Sequence, residues 1–418
     1  MAAGSLVPSL GARAWWIVAG NGIRQLGLGM TYPFLIVYLH QVRGFSLAAA
    51  GGILGVMSLA GLFTLPAAGS LIDAAGAGPA LVLSLWVSAL GTAGFIWVRT
   101  PWQALVTAAA DGAGSSAMWS ALNTALARSA AGGDRSGAFA VNYALGNLGL
   151  GIGSLLAGLV VNLARPGSFA VIFYGDAATS LLFAGLLLAA GETRRYEPGG
   201  GAPGSAWTGT WNYLAVLRDR VLLAATAVNS LLVTGGIAQL SVAFPAWATG
   251  PAHTGPRVVG LAFAANCFAI VASQLFVARW LRGRRRTGAT ALAAVVFAVS
   301  WVGVLVAGSR PPGGAAAWLI GALALFGFGE TFMAPSLPAL INDVAPEALR
   351  GRYNAVFNLA WQVGPVIGPV LTGMAFAGHA ARALLLGLAG AQLAAAGLTR
   401  VMAIWVPEGV DRGLIPPA

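Results

Sequence analysis

Residues 46–98 read SLAAAGGILGVMSLAGLFTLPAAGSLIDAAGAGPALVLSLWVSALGTAGFIWV and carry one charge, Asp73. Two apolar runs, 46–70 and 79–98, flank that aspartate. Each is long enough to cross a bilayer core, which takes about 20 helical residues. The runs are continuous rather than alternating, so helices are predicted and barrel strands are not. The pattern continues outward in both directions. Nearly charge-free stretches recur at 15–39, 102–127, 138–162, 168–190, 221–247, 258–280, 288–308, 315–341, 353–377 and 383–405, for twelve predicted spans.

Composition agrees. Of 418 residues, 58% are hydrophobic and 8% charged, with mean hydropathy +0.79. A soluble domain carries about 25% charged residues. This excludes a soluble enzyme, a disordered chain and a nucleic-acid binder. The net charge of +11 comes from 23 basic residues, all arginine, against 12 acidic ones. It is too dilute for a phosphate-tracking stripe. The single cysteine, Cys267, excludes an internal disulfide and a cysteine-based metal site. His40, His253 and His379 fall near span ends and read as interfacial residues. With no lysine, no P-loop and no metal-ligand cluster, no cofactor is predicted. Residues 1–14 do not read as a cleavable signal peptide.

Arginine placement sets the orientation. With the N-terminus in the cytoplasm, only Arg43, Arg99, Arg165, Arg257, Arg310 and Arg382 fall in outer loops, and the densest run, Arg282 to Arg286, falls inside. That bias predicts a multi-pass plasma-membrane protein with both termini cytoplasmic. The Gly/Pro-rich stretch 191–220 has linker composition. It separates an N-terminal six-helix bundle, 1–190, from a C-terminal one, 221–418. The halves are also related in sequence. At a shift of 215, Gly112 meets Gly327, Gly114 meets Gly329 and Met118 meets Met333. Gly149, Gly153 and Gly158 meet Gly364, Gly368 and Gly373 in the same register. Asn21 and Asn229 match at a slightly different shift. Repeated halves are a mark of secondary transporters.

On these features the chain resembles the major facilitator superfamily, and in part its twelve-span drug:proton antiporter branch. The resemblance implies an all-α integral membrane fold, twelve transmembrane helices in two pseudo-symmetric six-helix bundles. The family's loop after span two follows Gly-x-x-x-Asp-x-x-Gly; here Gly69, Asp73 and Gly76 match, without the flanking basic residues. By resemblance Asp73 gates, with Arg128 or Arg135 as the substitute partner. The glycine-rich motif of span five reads Gly149 and Gly153 without its proline, which appears in span eleven as Gly364-Pro365 and Gly368-Pro369. Close helix packing explains these residues equally well. The branch's span-four arginine is replaced by Ala108.

Ionisable residues inside spans are functional candidates by default. Arg24, Asp111 and Glu330 lie on spans one, four and ten, about 14, 14 and 18 Å in from Trp15, Trp102 and Trp318 at 1.5 Å per helical residue. Asp176 lies in span six. In the resembled family spans one, four, seven and ten line the central cavity. Asp111, Ser115 and Trp119 share one helix face, as do Phe326, Glu330 and Met333. Glu330, Asp111 and Arg24 are therefore the proton-coupling candidates, with a static Arg24–Asp111 pair as the competing reading. Tyr32, Ser115, Trp119, Asn142, Asn147, Asn229, Gln239, Asn358, Trp361 and Gln362 are candidates for the cavity wall, with helix–helix bonding as their alternative. The reading that follows is a monomeric secondary transporter in the lipid bilayer, exchanging protons for small amphipathic molecules by alternating access. Import of a sugar or other metabolite is the alternative, and an inactive receptor-like descendant of the fold is a third.

Overall fold

The computed structural model describes residues 10–129, 135–191 and 216–414. Of the linker read at 191–220, residues 192–215 lie outside that range. The long helices are α1 (Ala12–Thr31), α2 (Leu47–Ala75), α3 (Ala77–Gly94), α4 (Pro101–Ser129), α5 (Arg135–Val160) and α6 (Ser168–Ala189). They continue with α7 (Arg220–Thr249), α8 (Pro256–Trp280), α9 (Arg286–Ala307), α10 (Pro312–Val344), α11 (Arg350–Ala377) and α12 (Ala381–Met402). In lipid a backbone must satisfy its own polar groups, and an apolar run does so by forming a helix. Boundaries follow local chemistry. The Ser46 hydroxyl accepts from the Ala49 N–H at 3.1 Å and caps α2. Proline opens α4, α8 and α10, where its missing N–H is not needed.

Among the described residues, ten helices are long and apolar enough to cross a membrane. The remaining two, α1 and α4, are long but less apolar, and they carry Arg24 and Asp111. Two spans read as continuous are broken. After Thr31, Pro33 interrupts the first, and it resumes as Leu35–Val37 and a π-helical turn, Tyr38–Val42. The seventh passes through a π-turn at Val233–Ile237 and a further break before Ala243–Thr249.

Contacts divide the chain into two compact units, Met1–Gly199 with Val259–Ala264, and Gly200–Val258 with Ala265–Ala418. In the first, α1 packs on α5 and α6, α2 on α4, and α3 on α4 and α6. In the second, α9 packs on α10 and α12, and α7 on α11 and α12. Glycine sets the closest approaches. A Cβ on Gly112 would overlap the Met57 carbonyl, and one on Gly327 the Asn266 carbonyl. Gly149 and Gly153 lie against the α1 backbone, and Gly364 and Gly368 against α7. The same contacts thus recur in each unit, at a shift of 215 for one partner and close to 208 for the other. Asn21 donates to Asn142 Oδ1 at 2.9 Å, and Asn229 donates to the Phe357 carbonyl at 3.1 Å, in that same register.

The Arg282–Arg286 run, used from the sequence only to set orientation, is tied down by a neighbouring segment. Beyond α12, a short helix (Glu408–Asp411) lies against it. Buried Asp411 accepts from the Thr287 N–H at 2.9 Å and hydroxyl at 2.7 Å, capping α9. Arg286 pairs with Asp343 at 2.6 Å. Glu408 pairs with Arg285 at 3.1 Å and Arg412 at 2.9 Å. Arg284 stacks on Trp280, 4.1 Å from the ring centroid.

Two outcomes follow from this packing. Gly112→Ala should lower unfolding stability of the purified chain by about 1–3 kcal/mol through overpacking. Gly52→Ala, with open space around it, should change it by no more than about 0.5 kcal/mol. Hydrogen bonds from Arg285 and then Arg412 hold the Glu408 carboxyl below its ordinary value of 4.5. The contribution of this exposed contact is therefore complete above that value and fades as pH falls below it. A spin label at Gly409→Cys should gain mobility on acidification, and Glu408→Gln should remove the Glu408 part of that change.

Candidate functional site

Three candidates of the first unit, Arg24, Asp111 and Ser115, meet where α1, α3 and α4 pack. Arg24 is 1% exposed. Its Nη2 donates to the Ser115 hydroxyl at 3.2 Å and to the Ser88 hydroxyl at 3.5 Å. Both serines in turn donate to Asp111 Oδ1, Ser88 at 2.8 Å and Ser115 at 3.3 Å. Arg24 and Asp111 are thus joined through two hydroxyls that lie 3.2 Å apart, and among the described residues the guanidinium makes no direct ion pair within 4.0 Å. The direct pair considered from the sequence is replaced by a bridge. Arg24 Nε and Nη1 have no hydrogen-bond partner. A charge-assisted hydrogen bond contributes about 1.5–3 kcal/mol, so the serines bear much of the burial cost of this charge.

Ser88 did not emerge from the sequence. Its signal was Ser84, Ser88 and Thr92, a polar stripe at four-residue spacing on an otherwise apolar helix. All three are buried. Glu330 stands in the second unit, half-buried on α10, where Asn266 Nδ2 approaches its Oε1 at 3.4 Å. It has no ion-pair partner among the described residues. The register that matches glycine contacts between units carries Arg24, Ser88 and Asp111 onto Leu232, Phe297 and Phe326. Phe297 and Phe326 are stacked with centroids 3.9 Å apart and planes 1° apart. One unit buries a polar bridge where the other buries an aromatic plate.

The remaining candidates separate by position. Asn142, Asn229 and Gln239 are buried and engaged between helices. Gln239 Nε2 donates to the Gly368 carbonyl at 3.2 Å, and Thr372 donates to its Oε1 at 2.5 Å. Asn147 donates to the Tyr143 carbonyl on its own helix at 3.0 Å. Tyr32 and Gln362 are half-buried, and Asn358, Trp361 and Trp119 are exposed. Trp119 at 39% exposure does not join the buried Asp111 two turns before it. Asp73 is exposed in the last turn of α2, Gly69 is in open space, and Pro365 lies within α11. The Arg135 side chain lies outside the described residues. Gly76 joins α2 to α3 alone, with φ +92°, a conformation suited to glycine. Among the described residues no three of His, Cys, Asp and Glu form a metal cluster.

The sequence profile of the Major Facilitator Superfamily matches residues 17–253 and 226–416, and the chain belongs to that family. The uncharacterized MFS-type transporter YttB of Bacillus subtilis is 25% identical over 384 residues, covering 89% of this chain and 90% of its own. A Na(+), Li(+), K(+)/H(+) antiporter of Planococcus maritimus is 24% identical over 381 residues, covering 84% and 87%. Among solved structures, the nucleoside transporter NupG superposes with TM-score 0.72 at 14% identity, covering 94% of this chain and 99% of its own. The peptide transporter POT in complex with sulfate gives TM-score 0.71 at 15% identity, covering 96% of each chain. The chain is a multi-pass membrane transporter and not an enzyme.

Because the two serines share one task, each single change to alanine should be milder than their sum suggests. Ser88→Ala and Ser115→Ala together should lose about 0.5–3 kcal/mol more than the two singles added. Thermal unfolding of the four purified proteins measures this, and simple additivity would show that the hydroxyls act independently.

Proposed function

We propose that the chain is a proton-coupled secondary transporter that exports small amphipathic molecules by alternating access. In this reading it is a plasma-membrane monomer of twelve spans in two six-helix halves, with both termini in the cytoplasm. The observation that carries it is the set of ionisable groups within the helices, buried Arg24 bridged to buried Asp111 in one unit and half-buried Glu330, with no ion-pair partner among the described residues, in the other. Such residues are costly in a membrane and mark ion pathways.

In the proposed cycle, a proton from outside loads Glu330 or Asp111. Neutralisation removes the charge that opposes the conformational change. Substrate entering from the cytoplasm then displaces the proton. The antiporter among the relatives and the thin set of polar candidates favour exchange over uptake. Gating is assigned to Gly69, Asp73 and Gly76, and close packing to Gly149, Gly153, Gly364, Pro365 and Gly368.

Inverted vesicles made acid inside test this with ethidium as the probe. Wild-type vesicles should accumulate the dye until the pH gradient is collapsed, and Glu330→Gln should abolish accumulation. Unchanged transport would remove Glu330 from the mechanism. Uptake confined to right-side-out vesicles, over a panel of sugars and metabolites, would make the chain an importer.

A further inference from the structure

The transport reading uses Arg24, Asp111 and Glu330 and leaves Asp176 idle. Asp176 lies on α6, is 3% exposed, and rests against α1. A Cβ on Gly27 would meet the Asp176 carboxylate and the Thr179 hydroxyl, so glycine is what lets the acid approach the α1 backbone. Arg24, Gly27 and Thr31 lie on one face of α1 by their spacing. On that face two polar groups are incompletely used. Asp176 Oδ1 has no hydrogen-bond partner, and neither have Arg24 Nε and Nη1. Arg24 lies within electrostatic range of both Asp111 and Asp176.

Among the described residues, the charges that act on Asp176 are those of Arg24 and Asp111. The helix α3, packed on α6, has no ionisable group. Tyr38 lies against Phe169 and Phe173, with its hydroxyl committed to the Phe95 carbonyl and to Arg43. Arg13 is about three turns back along α1. The cluster therefore holds one guanidinium and two carboxylates. With both acids ionised, one negative charge would stay buried without compensation, which is strongly unfavourable. The geometry indicates where a neutralising proton sits. Asp111 receives two serine donors, whereas Asp176 has one contact, Thr31 at 2.6 Å to Oδ2. The Thr31 hydroxyl donates to Oδ2, which leaves Oδ1, with no donor of its own, as the oxygen that carries the proton.

We propose that Asp176 is a second proton-carrying residue, which exchanges the Arg24 guanidinium with Asp111. While Arg24 sits at Ser88 and Ser115, Asp111 is ionised and Asp176 holds the proton on Oδ1. When Arg24 turns to Asp176, that O–H bond breaks and its proton passes to solvent water, while Asp111 Oδ1 takes one proton from solvent water, so one proton is released and one is bound. The cluster carries the same net charge in both states. This rests on the proton-coupled reading and adds a residue to it.

Infrared titration of the purified full chain in lipid tests the exchange without a transported substrate. The carbonyl stretch of protonated carboxyls in wild type should include a component that is lost in Asp176→Asn and kept in Glu330→Gln. Its titration midpoint should move by about one pH unit or more in Asp111→Asn and in Arg24→Gln, in opposite senses. One variant frees the guanidinium for Asp176 and the other removes it. Should Asp176→Asn fail to fold, Thr31→Val should shift the frequency of the same band. An unaltered band in these variants, or a midpoint indifferent to both Asp111→Asn and Arg24→Gln, overturns the proposal. Vesicles that show no proton coupling while the midpoints still move would overturn the coupled reading instead.

Discussion

A guanidinium buried among helices must find acceptors, and here two serine hydroxyls supply them. Ser88 and Ser115 accept from Arg24 and donate to Asp111, so cation and anion are neutralised without touching. The bridge brings α1, α3 and α4 together at one point. Glycines complete it: Gly91 lies against the backbone of Asp111, and Gly114 against that of Ser88. Small residues allow the close approach, and the polar network makes that approach specific. In a membrane this order matters, because apolar packing alone distinguishes weakly between helix and lipid.

The second unit keeps the packing and discards the charge. Its glycines repeat the contacts of the first, yet the positions of the bridge hold Leu232, Phe297 and Phe326. A stacked aromatic pair fills space and has no ionisation state. Glu330 stands at the position of Ser115, with Asn266 as its neighbour. Shared architecture with divergent chemistry is what a duplicated scaffold permits, since the fold depends on the glycine contacts and the titratable groups are additions to it.

Much of this was legible in the residues. Apolar runs between charges located the helices, and a charge within a run marked Arg24, Asp111 and Glu330 directly. The 215-residue register reappears as repeated contacts. Other features had no periodic signal. The first span was read as continuous across Pro33, where it breaks, and the π-turn at Val233–Ile237 contains no proline. Helix spacing put Trp119 on the face of Asp111, yet spacing does not say how far along that face a neighbouring helix extends. The bridge through Ser88 joins residues far apart in sequence, and a serine on an apolar helix is ordinarily a local contact. The binding of Glu408–Asp411 to the Arg282–Arg286 run depended on two short polar segments, neither of which has a pattern of its own.

Gly76 has a mechanical consequence. Two long helices, α2 and α3, meet at that single residue, where the chain turns with φ +92°. Successive Cα atoms are about 3.8 Å apart, so there is no slack in the joint. The joined tips of this hairpin cannot separate, and any spreading of the pair has to occur at the far ends, in the manner of tongs hinged at one tip.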